Sequence, residues 1–255
     1  MTMCESEQRF AGGRRRGGMI EEKVRYGAGD SHGRLFVPEG ASSRPGVIVF
    51  PGGGGIGEAA YRSARRLAEQ GYVTLAADYY GGGYRGADMG DAENLRRFQE
   101  LLGDVGLMRS RAKEAFDVLA ARPEVDAERV AAIGYCFGGA MAVEFALSGA
   151  ALRAAIGFHM LLNPLTLSDA GKLKARLLVC NGTRDPYAPI EDVVAFEAGM
   201  RDHDAQWQVN LYGGVRHSFT DPDATGDPEV YRYDAHADRE SWNAATFLLR
   251  DAFGS

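Results

Sequence analysis

Several features that mark other classes of protein are missing from this sequence. Its three cysteines are an odd number without a C-x-x-C pair, which excludes a disulfide framework and a cysteine zinc site. No apolar run approaches the roughly 18 residues of a membrane-spanning helix, and no signal-peptide-like stretch occupies the first 20 residues. A basic surplus is also lacking, since 29 basic side chains stand against 35 acidic ones. We therefore expect a cytoplasmic protein whose partner is neither nucleic acid nor a membrane.

Glycine, in contrast, is abundant. It supplies 34 of 255 residues, nearly twice the roughly 7 % of ordinary proteins. The glycines come in clusters with only 9 prolines, which excludes collagen, and a 45 % share of hydrophobic residues argues against disorder. A flexible, solvated segment is indicated only around Arg14, Arg15 and Arg16, which lie among glycines. We expect residues 1–19 to be a flexible N-terminal tail and residues 20–255 to form a single domain, as a monomer or a small homo-oligomer.

Beyond residue 20, short apolar runs alternate with stretches of helical period. The predicted strands are 24–26, 34–37, 47–50, 73–77, 130–133, 154–158, 177–180 and 208–212. The predicted helices are 58–70, 109–121, 138–147, 190–200 and 235–250. The first two strands form a hairpin with residues 30–33 as its turn. Repeated alternation of strand and helix predicts an α/β fold with a mostly parallel sheet covered by helices on both faces.

The most informative segment is a strand that runs into Gly134-Tyr135-Cys136-Phe137-Gly138 and then into a helix. The pattern G-x-C-x-G is that of a nucleophile elbow with cysteine in place of serine. On this tight turn the residues two before and two after the nucleophile come close together, so both must be very small. The turn also exposes the sulfur at a helix N-terminus, which favours a thiolate. The alternative is that Cys136 is a small buried core residue.

Two residues further along the chain could complete an active site with this cysteine. Asp185 follows the predicted strand 177–180, and His217 follows the predicted strand 208–212. An α/β-hydrolase carries its acid and then its histidine after the nucleophile, each on the loop past a later strand. Taken alone, Asp185 would be a turn residue and His217 a loop histidine. In combination with Cys136 they predict a Cys-His-Asp catalytic triad.

At these residues the chain resembles the dienelactone hydrolase family of the α/β-hydrolase superfamily. The resemblance extends from Val47 to the closing helix. Its motifs are Gln70-Gly71-Tyr72-Val73, Ala77-Asp78-Tyr79-Tyr80-Gly81-Gly82, Ile133-Gly134-Tyr135-Cys136-Phe137-Gly138-Gly139, Gly157-Phe158-His159, Asp185-Pro186-Tyr187-Ala188-Pro189 and His217-Ser218-Phe219-Thr220.

The resemblance implies an α/β-hydrolase fold and hydrolysis of an ester, lactone or thioester through a covalent acyl-cysteine intermediate. Cys136 would be the nucleophile, His217 its base and then acid, and Asp185 the residue that orients His217. The backbone N–H groups of Gly53 and Phe137 would form the oxyanion hole. The resemblance implies neither a cofactor nor a metal ion, and the partner is a small-molecule ester or lactone.

The first loop of this chain departs from the family. Relatives usually carry a Glu one or two residues past the first parallel strand, where it helps set the ionisation of the cysteine. Here Pro51 is followed by four glycines at 52–55, and no carboxylate appears before Glu58. We therefore expect activation of the thiol to depend on His217 and the helix dipole.

The predicted substrate contacts depart as well. Where relatives have a substrate-binding Arg shortly after the histidine, this chain has Asp221, and only Arg96 or Arg97 could supply a second one. Like charge near Asp221 would oppose a carboxylate, so we expect a substrate other than dienelactone itself. Tyr80, Arg97 and His159 are the candidate substrate-binding residues, with core packing an equal interpretation of His159.

Other functions remain open at this point. Gly52, Gly54 and Gly57 spell G-x-G-x-x-G between a strand and a helix, and Asp78 ends the next strand about 20 residues on, as in the fingerprint of an NAD(P)-dependent oxidoreductase. Pro51 interrupts the strand-to-glycine turn, however, and this interpretation gives the predicted triad no joint role. The altered first loop motivates another alternative, a non-hydrolytic isomerase or cyclase, or a binding protein, on the same fold.

Overall fold

The computed structural model describes residues 14–16, 18–28, 30–86 and 90–254. Nine strands among these residues form one sheet, in the order β1-β2-β3-β5-β4-β6-β7-β8-β9. The strands are β1 Arg14–Arg16, β2 Met19–Tyr26, β3 Ser31–Pro38, β4 Arg44–Phe50, β5 Val73–Ala76, β6 Val125–Tyr135, β7 Ala154–Phe158, β8 Arg176–Gly182 and β9 Trp207–Tyr212. Strands β4 to β9 are mutually parallel, and β1 to β3 are antiparallel additions at one edge.

Helices cover both faces of this sheet. They are α1 Glu58–Ala68, α2 Ala92–Gly103, α3 Val105–Ala120, α4 Phe137–Leu147, α5 Ile190–Met200 and α6 Ala235–Phe253, with a 3-10 helix at Leu167–Lys172. Buried residues of α1 and α6 share one apolar core, and those of α2 to α5 share the other. The predicted parallel sheet with helices on both faces is thus confirmed. None of the helices in the described part of the chain has both the length and the apolarity needed to cross a membrane.

The N-terminal edge differs from the sequence prediction. Arg14–Arg16, which were expected to belong to a flexible tail, form β1 against β2, and β2 itself begins at Met19. Residues 1–13 and 17 of the predicted tail lie outside the described residues. Pairing with β1 satisfies backbone donors and acceptors that β2 would otherwise present at the edge of the sheet.

Two local predictions also need correction. The turn of the first hairpin lies at residues 27–30 instead of 30–33, because β3 begins at Ser31, directly opposite Tyr26. The chain reverses through Gly27 and Asp30, which both adopt positive φ angles, of 72° and 51°. Helix α2 was not predicted, and its N-terminus is capped by the side chain of Asp91, which accepts the N–H of Asn94.

The carboxyl ends of the parallel strands carry the predicted site residues, except Arg97, which lies in α2. Loops at that edge are the usual ligand-binding position in sheets of this type. The loop after β4 holds Gly53, the loop after β5 holds Tyr80, and the turn after β6 holds Cys136. His159 follows β7, Asp185 follows β8 and His217 follows β9. The topology therefore brings together residues that are up to 164 positions apart, from Gly53 to His217.

The turn between β6 and α4 is the tightest point of this edge. Cys136 has a φ of 54°, an uncommon value for a residue with a side chain. A Cβ added at Gly134 would lie 2.0 Å from the carbonyl oxygen of Gly138, and one added at Gly138 would lie 2.1 Å from the carbonyl oxygen of Pro51. Both positions therefore exclude any side chain, as the sequence pattern predicted.

We expect Gly134→Ala to lower the free energy of unfolding by at least ~2 kcal/mol, because its methyl group would overlap backbone atoms. Gly103→Ala, at the end of α2, is the matched control: an added Cβ there meets nothing within 4 Å. That control should change stability by less than about 0.5 kcal/mol. Urea unfolding followed by circular dichroism measures both variants, and equal stabilities would contradict the steric explanation.

Candidate active site

Asp185 and His217 form a buried pair. The Oδ2 atom of Asp185 lies 2.7 Å from Nδ1 of His217, and both side chains are almost completely buried. The other carboxylate oxygen of Asp185 accepts the backbone N–H of Tyr187 at 2.9 Å, so both oxygens have partners. A carboxylate at Nδ1 assigns a proton to that nitrogen and leaves Nε2 as the atom that can gain or lose a proton.

The Nε2 atom of His217 lies beside the thiol of Cys136. It has no hydrogen-bond partner of good geometry among the described residues, yet each of the two groups shifts the pKa of the other. Burial raises the pKa of Cys136, but the nearby charge of His217, helped by backbone N–H groups, outweighs it and the net pKa is lowered. Burial lowers the pKa of His217, but Cys136 and Asp185 reverse this and the net pKa is raised. Both directions favour a thiolate next to an imidazolium.

Two backbone N–H groups near the sulfur help to lower the pKa of Cys136. One belongs to Phe137, the first residue of α4, and the other to Gly53, in the loop after β4. These are the two donors that the resemblance implied for an oxyanion hole. They also contribute to the lowered pKa of the thiol, so the helix dipole and His217 are not its only stabilising neighbours.

The glycine loop at 52–55 is held by two tyrosines that follow β5. The hydroxyl of Tyr79 donates to the carbonyl of Gly52 at 2.5 Å, and that of Tyr80 donates to the carbonyl of Gly53 at 2.8 Å. A Cβ added at Gly52 would meet the Cβ of Cys136 at 3.7 Å, an ordinary contact. The missing first-loop carboxylate therefore reflects no lack of space at this position.

Two of the predicted substrate-binding residues, Tyr80 and Arg97, contact each other beside the loop at 52–55. Tyr80 is only 7 % exposed, and its hydroxyl is engaged by Gly53. The guanidinium of Arg97 donates to the carbonyl of Tyr80 at 3.2 Å and to the carboxylate of Glu93 at 2.7 Å. It also lies over the ring of Tyr84, 4.4 Å from the centroid. The charge of Arg97 is thus already balanced by Glu93.

His159 lies behind His217 in the interior. The two rings are 4.9 Å apart, and Nε2 of His159 is hydrogen-bonded to the hydroxyl of Thr220 at 2.9 Å. Burial, reinforced by the neighbouring His217, holds the pKa of His159 well below its ordinary value. His159 therefore packs against His217 as a neutral ring.

A pair of tyrosines that the sequence analysis did not select covers His217. The rings of Tyr187 and Tyr231 lie 4.8 and 5.7 Å from its imidazole, and their hydroxyls are 2.6 Å apart. Backbone hydrogen bonds from His217 to Val230 and from Arg232 to His217 fix the segment that carries Tyr231. Tyr187 could have been found from its position two residues after Asp185, but no periodic signal marks Tyr231.

Two acidic residues that entered the sequence analysis have structural partners. Asp221 pairs with Arg62 at 2.7 Å, and the same guanidinium reaches Asp223 at 2.9 Å. Asp78 is buried, and its carboxylate accepts backbone N–H groups from His32, Tyr80, Gly81 and Gly83. Because backbone donors already occupy both oxygens, Asp78 is poorly suited to bind the ribose hydroxyls of a dinucleotide.

Among the described residues, no three His, Cys, Asp or Glu side chains are grouped so as to hold a metal ion.

A parallel sheet with a cysteine on the strand-to-helix turn after β6, followed by an acid after β8 and a histidine after β9, defines an α/β-hydrolase. The sequence model of the dienelactone hydrolase family matches residues 32–253. The chain therefore belongs to the dienelactone hydrolase family, a family of hydrolases.

Two solved structures agree with this assignment, and a curated relative is similar over part of the chain. The protein m3DLH is 40 % identical, with a TM-score of 0.88 over 93 % of this chain and 100 % of its own. P91, described as a dienelactone hydrolase-like promiscuous phosphotriesterase from metagenomic libraries, is 40 % identical, with a TM-score of 0.87 over 92 % of this chain and 99 % of its own. The Caenorhabditis elegans protein K02A2.1 is 32 % identical over 58 % of this chain and 96 % of its own length.

We expect His217→Ala to move the alkylation of Cys136 by iodoacetamide to higher pH. A thiol reacts as its thiolate, and loss of the imidazolium leaves burial, which raises the pKa, as the main influence on the sulfur. The parent chain should thus stay reactive below the ordinary thiol pKa, whereas the variant should not. A Cys4→Ser background is used because Cys4 lies outside the described residues, while Cys180 is fully buried. A variant thiolate that persists below about pH 5 would overturn this account of the thiol.

Proposed function

We propose that this protein hydrolyses an ester, lactone or thioester of a small molecule through an acyl-cysteine formed on Cys136. The observation that supports this most directly is the buried pair of Asp185 and His217, 2.7 Å apart, with the second ring nitrogen beside the Cys136 thiol. A nucleophile, its base and the residue that orients the base are the minimum set for covalent catalysis of acyl transfer.

In the first half of the reaction, the Cys136 thiolate attacks the carbonyl carbon of the substrate. The C–S bond forms as the carbonyl electrons move onto oxygen, and the N–H groups of Gly53 and Phe137 stabilise that oxyanion. One such donor typically contributes a few kcal/mol, because it acts on charge that develops only in the transition state. The intermediate then collapses, and the leaving alkoxide takes the proton from Nε2 of His217.

In the second half, neutral His217 activates water. Its Nε2 takes a proton as the water oxygen attacks the acyl-cysteine, and the second tetrahedral intermediate expels the Cys136 thiolate. The products are an alcohol and a carboxylic acid, and the thiolate and imidazolium are restored. Asp185 supports both halves, because it keeps the proton on Nδ1 and stabilises the imidazolium.

We expect Cys136→Ala to lower kcat/KM for p-nitrophenyl esters by at least about 10³-fold, because it removes the attacking atom. Cys180→Ala is the matched control, since that buried cysteine lies outside the site and should leave turnover unchanged. Intact-mass spectra of the parent chain should show an acyl adduct that Cys136→Ala cannot form. If the parent chain turns over no ester, a non-hydrolytic isomerase, a cyclase or a binding role becomes the better explanation.

A neutral phosphotriester is a second candidate substrate. The observation that favours it is the 40 % identity to P91, which is described as a promiscuous phosphotriesterase. Attack of the Cys136 thiolate on phosphorus would use the same His217 and the same two oxyanion donors. Such a substrate is uncharged, and this suits a site in which a thiolate stands beside two N–H groups.

We expect neutral substrates to be preferred over anionic ones. A thiolate at Cys136 repels a substrate anion, while Arg62 and Arg97 already pair with Asp221 and Glu93. The measurement compares kcat/KM for p-nitrophenyl acetate and p-nitrophenyl hemisuccinate, and for p-nitrophenyl diethyl phosphate and p-nitrophenyl phosphate. The neutral member of each pair should be favoured at least about tenfold. Preference for the anionic members would contradict this expectation and indicate that a cation binds the substrate.

A further inference from the structure

The loop after β4 has no side chains that would restrict its backbone conformation at residues 52–55. Residues 52–55 are four consecutive glycines without Cβ atoms, and the N–H of Gly55 donates to the carbonyl of Gly52 at 3.0 Å within the loop. The N–H of Gly53 has to point at Cys136 if it is to act as an oxyanion donor. One turn bond among glycines restrains this peptide only weakly, and a contact from outside the loop adds to it.

Planarity of the peptide bond shows which outside contact can orient the N–H of Gly53. The carbonyl of Gly52 and the N–H of Gly53 belong to one peptide unit and, in the trans form, point in opposite directions. The hydroxyl of Tyr79 lies 2.5 Å from the carbonyl oxygen of Gly52. A bond that fixes the carbonyl of this peptide on one side also fixes its N–H on the other, toward the sulfur.

Tyr79 is itself firmly held. It is 1 % exposed, and its ring packs edge-on against Phe137 at 5.8 Å and Tyr80 at 4.5 Å. Phe137 supplies the second N–H that points at the sulfur, so the ring of Tyr79 contacts one donor residue while its hydroxyl fixes the peptide of the other. Its position leaves the hydroxyl no access to solvent.

We propose that Tyr79 is a positioning residue, whose hydroxyl holds the peptide between Gly52 and Gly53 with its N–H directed at Cys136. This inference rests on the proposed role of Gly53 as an oxyanion donor. Tyr79 touches neither substrate nor the reacting atoms in this role. It acts only through the orientation of one peptide.

The neighbouring tyrosine provides a matched comparison. The Tyr80 hydroxyl donates to the carbonyl of Gly53 at 2.8 Å, and that carbonyl shares its peptide with the N–H of Gly54. Tyr79 and Tyr80 thus make the same kind of bond to adjacent peptides, but only the bond of Tyr79 orients the oxyanion donor. The Tyr79 hydroxyl also lies 3.4 Å from the carbonyl oxygen of Pro51, a much longer contact. Loss of either hydroxyl thus removes one short buried bond to the loop, so a merely structural role would make the two losses similar.

The test compares Tyr79→Phe with Tyr80→Phe in the Cys4→Ser background. Because the N–H of Gly53 stabilises the thiolate, we expect Tyr79→Phe to shift the pH midpoint of Cys136 alkylation upward by at least about half a unit, and Tyr80→Phe to shift it clearly less. For a p-nitrophenyl ester, Tyr79→Phe should lower kcat about tenfold with little change in KM, because the lost interaction belongs to the transition state. Replacement of Tyr79 by 4-aminophenylalanine, which keeps a donor at the ring tip, should restore both values toward the parent.

Thr74→Val controls for loss of a buried hydroxyl elsewhere. The hydroxyl of Thr74 donates to the carbonyl of Ala64 at 2.9 Å, and its removal should lower Tm without moving the alkylation midpoint or kcat. Equal shifts in Tyr79→Phe and Tyr80→Phe, or an unchanged midpoint in Tyr79→Phe, would overturn the proposal. Alkylation needs no turnover, so a parent chain that cleaves no ester would disprove the proposed function and still leave the role of Tyr79 to be decided by the midpoints.

Discussion

Close approach of three backbone segments at Cys136 is the constraint on which the site depends. The end of β6 meets the start of α4 where Gly134 faces the carbonyl of Gly138, and Gly138 in turn lies against the carbonyl of Pro51. No side chain fits between these segments. Their contact fixes the sulfur, the first N–H of α4 and the loop after β4 relative to one another, so both donor groups reach the same atom.

Burial and mutual charge have opposite effects on the pKa values of Cys136 and His217. A buried thiol resists ionisation, and a buried imidazole resists protonation. Cys136 and His217 each supply the opposite charge that the other needs, and Asp185 adds a second negative group on the far side of the ring. The thiolate is thus favoured by a histidine and two peptide dipoles, in a loop that carries no carboxylate of its own.

The sequence predicted the parts of the molecule that repeat or obey a steric rule. Periodic apolar runs located the parallel strands, and the spacing of Gly134 and Gly138 around Cys136 located the turn. The helix Ala92–Gly103 was not predicted, because only Asn94 and Leu101 of it are buried and its apolar stripe is weak. Hydrogen bonds from a side chain to a distant backbone group were not predicted either. Nothing in the local pattern of Tyr79 indicates that its hydroxyl meets Gly52, 27 residues earlier.

The unequal space around the glycines has a consequence for how such a protein can diverge. Position 134 admits no substitution, whereas a side chain at position 52 would stand in ordinary contact with Cys136 without displacing the backbone. Position 52 is therefore a place where the surroundings of Cys136 can change by substitution while the backbone contacts at positions 134 and 138 stay the same.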